Sequence, residues 1–223
     1  MNQKVDFYKH VPRAFEDSGY NADKIAFVNS FVTDGLRVLD VGCSDGFIGS
    51  LFLKKHTKVY GLDIDKHKVR QSRKRGIKAT VCDIETDKIP FTDNYFDFIL
   101  LTDVIEHIFD TDRVLEEVHR VLKKRGVLLV TTPNIASLAR RCMLVLGINP
   151  HTEYSSRYMD FLPGSVGHIR YYTRNNLRYQ LTKNGFRNIV THGDRVNFLL
   201  FSSTLAARLF PTLAVDILCT CKK

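Results

Sequence analysis

The sequence predicts an α/β fold on a mainly parallel sheet with helices on both faces, and three observations predict it. Short apolar runs alternate with helical patterns, the order left by successive βαβ units. The run 96–101 is nearly all apolar, as a strand covered on both faces must be. A glycine-rich turn, Gly42-Cys43-Ser44-Asp45-Gly46, follows the first clear strand and opens a helix.

The elements follow in order. Residues 1–35 read as an amphipathic helical segment ahead of a single domain at 36–223. Arg37–Val41 is the first strand, and the helix after its turn is expected to run to about Lys55. Lys58–Leu62 is the second strand and ends at Asp63. A helix follows, with Lys66, Lys68, Arg70, Arg73, Lys74 and Arg75 on its outer face and Gly76 closing it. Lys78–Cys82 is a short strand ending at Asp83, and Phe96–Leu101 is the fourth. Asp110 or Thr111 caps a helix whose Val114, Leu115, Val118, Val121 and Leu122 recur at helical spacing. Gly126 is expected to stop that helix before a fifth strand, Val127–Thr131.

The alternation then breaks into an insertion at about 135–170. It holds an apolar piece, Ala136–Leu146, carrying Arg140 and Arg141, and then a stretch rich in Tyr, Ser and His. Thr173 caps a helix carrying Leu177 and Leu181, closed by Asn184-Gly185. Phe186–Val190 and Val215–Cys221 read as the last two strands, separated by an apolar segment, 196–213, that contains Pro211.

Composition narrows the class. With 44% hydrophobic and 26% charged residues among 223, neither disorder nor a fibrous structure is favoured, and the length suits one sizeable domain. A net charge of +9 leaves room for an acidic partner, nucleic acid or an anionic membrane, but a solvated basic surface is the favoured account. Five cysteines without framework spacing read as reduced thiols. Met1–His10 is too polar for a secretory leader, and no apolar run reaches the roughly 18 residues of a membrane span. A cytoplasmic protein without a transmembrane segment is the expectation.

The chemistry concentrates after the strands. A strand that runs into a glycine turn and a helix brings backbone N–H groups and a positive helix end to a ligand. Dinucleotide enzymes need three glycines spaced G-x-G-x-x-G; here Gly42, Ser44 and Gly46 alternate instead, and Asp40 stands two residues before the first glycine. A carboxylate there suits a cationic ligand better than a pyrophosphate. Asp40, Asp63, Asp83 and Asp103 lie at or near the ends of four successive strands, on the edge where such sheets bind ligands.

In series, VLDVGCSDGFIG, YGLDID, VCDIE, IPFTDNYFDFILLTDVIEHI and GVLLVTTPN resemble the class I S-adenosylmethionine-dependent methyltransferases, from about Arg37 to Asn134 and more loosely onward. The resemblance implies a Rossmann-like, seven-stranded sheet whose last strand is antiparallel, and S-adenosylmethionine as cofactor. It places the methionine part on Asp40 and the turn Gly42, Cys43, Ser44 and Gly46. Asp63 with Ile64 would take the ribose, Asp83 with Ile84 the adenine, and Thr102 would line the methyl donor. Ser44 departs from the family, which usually has glycine there.

The downstream strings TPN and GHIRYYTRNNL resemble small bacterial and archaeal methyltransferases found with cell-envelope and polysaccharide genes. The same regions resemble ubiquinone-type O-methyltransferases and the metal-assisted enzymes that methylate small-RNA 3′ ends. That likeness maps a divalent metal onto Asp103, Glu106, His107 and His168, with aspartate where those families show glutamate. Proton transfer by His107 or His168 is the favoured alternative to a metal, and a structural role stays open. No Asn-Pro-Pro-Tyr-type string follows the fourth strand, which points away from an amino acceptor and towards oxygen. A small-molecule, glycan or lipid-linked acceptor is therefore expected, with RNA ribose as the competing acceptor. The piece 136–146 reads as a lid over the acceptor or a contact with a membrane surface, and Tyr154, Tyr158, Tyr171 and Tyr172 as pocket lining or packing.

Overall fold

The computed structural model describes residues 22–150, 168–198 and 201–223. The predicted residues Tyr154 and Tyr158, most of the polar half of the insertion and residues 1–21 lie outside them.

Helix α1 (Ala22–Asn29) precedes strand β1 (Arg37–Val41), and the glycine turn leads into α2 (Phe47–Ser50). Then come β2 (Lys58–Asp63), α3 (Lys66–Lys74), β3 (Lys78–Val81), β4 (Phe96–Thr102), α4 (Thr111–Val121) and β5 (Leu122–Pro133). The insertion opens with α5 (Leu138–Val145), and α6 (Arg174–Lys183) leads to β6 (Arg187–Gly193). A hairpin of β7 (Val196–Phe198) and β8 (Phe201–Ser203), then α7 (Thr204–Leu209), precede β9 (Asp216–Lys222).

Seven strands form one sheet in the order β3-β2-β1-β4-β5-β9-β6, and β9 alone runs antiparallel to its neighbours. The Rossmann-like sheet with a reversed last strand is thus present. Its two faces bury separate cores. Val28, Ile48 and Val69 of α1–α3 pack on one side with Val38 and Leu129. Val114, Leu115 and Val118 of α4 and Leu177 and Leu181 of α6 pack on the other with Leu39 and Leu128. The strand order reverses between β1 and β4, which opens a crevice beyond their carboxyl ends.

Two boundaries differ from the expectation. Helix α2 stops at Ser50 rather than near Lys55, because Phe52 and Leu53 bond three residues back, to Gly49 and Ser50, and His56 turns left-handed. Helix α4 stops at Val121, not at Gly126. The amides of Asn94 and Tyr95 capture the Arg120 and Val121 carbonyls, and Leu122 pairs with Phe96 as the first residue of a longer β5.

Of the two proposed caps, Asp110 is the one used: its Oδ1 accepts the Arg113 N–H at 3.1 Å. Asp110→Ala should cost about 1 kcal/mol. In a chain of this size that lowers the melting temperature by about 2–4 °C in a thermal scan.

Candidate functional site

The crevice is built from strand ends. Gly42 and Cys43 both donate to the Leu62 carbonyl, at 2.8 and 2.9 Å, and this folds the turn over the end of β2. Gly42 has φ +73, and a Cβ there would lie 2.5 Å from Val104 Cγ2, so only glycine fits. Ser44 also has φ +46, the left-handed conformation that a glycine there would adopt without strain.

Asp40 is buried under the turn. Its Oδ2 accepts the Gly49 N–H at 3.1 Å, while its Oδ1 is buried and accepts no hydrogen bond. Burial pushes its carboxyl up to about 7, and the nearby Asp63 and Asp45 add to the rise. Asp63 accepts the Ser44 N–H at 2.8 Å and the Asp65 N–H at 2.8 Å. Burial still raises its pKa, against those two amides. Asp83 accepts the Glu85 N–H at 3.1 Å just past β3. Cys43 is buried beneath Gly61, Thr102 closes β4 beside Thr131, and Ile84 is partly buried against the core. Ile64 is half-buried just beyond Asp63.

On the far side of the crevice, Asp103 takes φ +52 at the end of β4. Its two oxygens accept the Lys24 ammonium at 3.0 and 2.8 Å, and Oδ1 also accepts the Thr131 hydroxyl. Lys24 reaches Asp216 as well, at 2.9 Å. Burial pulls the lysine pKa down, but Asp103 and Asp216 outweigh it and raise it above the ordinary value. Sequence reasoning missed Lys24 and Asp216. Lys24 lies on a short helix 79 positions from Asp103, and nothing local marks it as a ligand of that carboxylate.

Glu106 sits in a 3₁₀ turn, Ile105–His107, and is 1% exposed. Its Oε2 accepts the Thr132 hydroxyl at 3.0 Å, and its Oε1 accepts no hydrogen bond and lies 3.8 Å from His168 Nε2. Burial, then the Asp103 charge, push its carboxyl well above the usual range. The rings of His107 and His168 stand 5.0 Å apart. The Ile169 and Arg170 amides both donate to the Glu106 carbonyl at 3.0 Å, which brings His168 back across some sixty residues of sequence. Glu106, His107 and His168 each offer a ligand atom within 4.8 Å of the others. Asp103, the fourth of the candidate metal ligands, is not part of that group; its carboxylate holds Lys24. Tyr172 is buried, with its hydroxyl donated to Gln180, so it packs rather than lines the crevice.

A family model for a methyltransferase domain matches residues 32–185. The chain belongs to the S-adenosylmethionine-dependent methyltransferase family. It is 34% identical over 100 residues to a probable S-adenosylmethionine-dependent methyltransferase of Mycolicibacterium smegmatis, covering 45% of this chain and 39% of that one. It is 30% identical over 162 residues to the mitochondrial arginine hydroxylase of Mus musculus, covering 71% of this chain and 44% of the relative. The chain thus spans less than half the length of these curated relatives. A S-adenosylmethionine-dependent methyltransferase from Archaeoglobus fulgidus superposes with a TM-score of 0.67 at 16% identity, covering 94% and 96% of the two chains, and it shares the fold. The family's cofactor fits the residues present, because the orphaned Asp40 Oδ1 is a buried acceptor in need of a cation or donor.

Two predictions follow from this electrostatics. Asp40 has a folded pKa of about 7 against 3.8, so the unfolded chain loses this proton first, and the free protein loses stability as pH rises between those values. A cationic ligand favours the ionised form, so cofactor affinity should climb with pH up to about 7 and then level. Asp40→Asn should flatten the profile and weaken binding about tenfold or more, read by titration calorimetry at several pH values. Lys24→Met would strand the buried Asp216 and the partly buried Asp103 and should cost about 3–5 kcal/mol in a denaturant melt near neutrality. The cost should shrink in acid, as Asp216, whose pKa burial raises, takes up its proton.

Proposed function

We propose that this chain transfers a methyl group from S-adenosylmethionine to an oxygen of a small-molecule, glycan or lipid-linked acceptor. The observation that carries the reading is the Glu106–His168 pair on the acceptor side of the crevice, a buried carboxylate with one unused oxygen facing an imidazole. The cofactor supplies a methyl group on a sulfonium, an electrophile already activated by its charge. The chain's residues then have two tasks, alignment and removal of the acceptor proton.

Asp40 and the Gly42–Gly46 turn are assigned to the methionine part, Asp63 to the ribose hydroxyls, and Asp83 with Ile84 to the adenine. His168 would take the proton of the acceptor hydroxyl, whose oxygen would receive the methyl group that the bound cofactor supplies. Glu106, 3.8 Å from His168 Nε2, would offset the positive charge that the imidazole gains. His107, against the same ring, frames the acceptor.

A second reading rests on the convergence of Glu106, His107 and His168, which could hold a divalent ion that polarises the acceptor oxygen. An ion held by all three would sit among these atoms at ligand distances of roughly 2.0–2.2 Å.

Calorimetry tests the cofactor claim first: S-adenosylmethionine should bind and raise the melting temperature, and NAD should do neither. A folded protein that gives no heat with S-adenosylmethionine or its demethylated product overturns it. With an acceptor found by labelled methyl transfer, His168→Ala should lose activity about 10²–10⁴-fold while chelators have no effect. Loss on chelation, restored by a divalent ion, favours the metal; full activity in both His107→Ala and His168→Ala removes both roles.

A further inference from the structure

The crevice has an apolar neighbour that methyl transfer does not use. Helix α5 and the β7–β8–α7 unit form one body at the end of β5 and β9. Val196, Ala207 and Ala214 are buried together, and Leu138, Ala206 and Leu213 pack on them. Asn134, just past β5, donates to the Thr212 and Ala214 carbonyls at 3.0 and 2.8 Å, and Arg141 on α5 donates to Thr212 as well. Small residues therefore fill the joint, and larger ones face solvent. Leu144, Val145 and Leu146 on one arm and Leu205, Leu209 and Phe210 on the other are 58–87% exposed. Single exposed apolar residues are ordinary, but two adjoining arms with three each are not.

Charge says what this body is suited to meet. Residues 135–150 and 195–215 contain no Asp or Glu but carry Arg140, Arg141, Arg195 and Arg208. Arg195 is held by Asp23 at 3.0 Å, whereas Arg141 and Arg208 are exposed among the apolar side chains. A second copy of this chain would bring arginines against arginines, with no acid in either arm to offset them. An anionic lipid surface offers the complement to both features, acyl chains for the leucines and phosphates for the arginines.

Position ties the body to the crevice. Asp216, three residues after the 3₁₀ turn Pro211–Leu213, is the carboxylate that shares Lys24 with Asp103.

We infer that α5 and the β7–β8–α7 unit are a docking face for an anionic membrane surface, set beside the acceptor side of the crevice. The docking stands without the methyl-transfer reading; only its use, presenting a lipid-linked acceptor to the crevice, rests on that reading.

The test is flotation of the full chain with vesicles of phosphatidylcholine alone and of phosphatidylcholine mixed with phosphatidylglycerol. The chain should float with the mixed vesicles, and more weakly as salt rises. Leu205→Ser with Leu209→Ser, and separately Leu144→Ser with Val145→Ser, should each weaken flotation about tenfold or more. Arg208→Glu, at an exposed position of α7, should reduce the preference for phosphatidylglycerol. All three variants should keep the wild-type melting temperature and cofactor heat, because the substituted side chains are exposed. No flotation with mixed vesicles, or equal flotation of wild type and all variants, overturns the inference. So does a dimer in light scattering that the same leucine substitutions dissociate, without lipid binding. Cofactor calorimetry on the same preparation separates the two failures: binding without flotation removes only the docking face, and flotation without binding removes only the methyl-transfer reading.

Discussion

The site depends on one constraint, the burial of several carboxylates at a single sheet edge with one buried ammonium among them. Asp40, Glu106 and Asp216 are each 6% exposed or less, and burial raises the pKa of each. Lys24 satisfies Asp103 and Asp216, and the hydroxyls of Thr131 and Thr132 reach Asp103 and Glu106. What is left over is one oxygen of Asp40 and one of Glu106, on opposite sides of the crevice. Buried acceptors without donors are costly, and a site that keeps them is set up for a ligand that supplies charge or protons.

The same constraint links the rest of the molecule. Lys24 belongs to α1, ahead of the sheet, and Asp216 opens the reversed strand β9, so the ammonium joins the first described helix to the last strand. Asp23, one residue earlier, holds Arg195 before the hairpin. Between those contacts hang the arms of α5 and α7, rooted at the crevice through Asn134 and turned outward with apolar side chains. The fold thereby keeps the glycine turn, over Asp40, apart from the place where Glu106, His107 and His168 meet.

The sequence alone determined what depends on neighbours along the chain. Strand and helix alternation, the turn at Gly42–Gly46, the cap at Asp110 and the acids after the strands are local patterns, because hydrogen-bond periodicity, positive φ and strand ends leave marks within a few residues. The reversed seventh strand came from resemblance, since no local signal distinguishes a parallel from an antiparallel buried strand. Tertiary structure decided what depends on distant partners. Helix α4 ends at Val121 because Asn94 and Tyr95 take its last carbonyls and Phe96 draws Leu122 into the sheet. Asp103 stands apart from the trio of Glu106, His107 and His168 because Lys24, from a helix 79 residues earlier, claims its carboxylate. His168 reaches Glu106 only because the backbone at Ile169 and Arg170 is tied to the Glu106 carbonyl. Ion pairs and convergent imidazoles act through space, and their spacing along the chain is free, so only the folded sheet edge could bring them to one point.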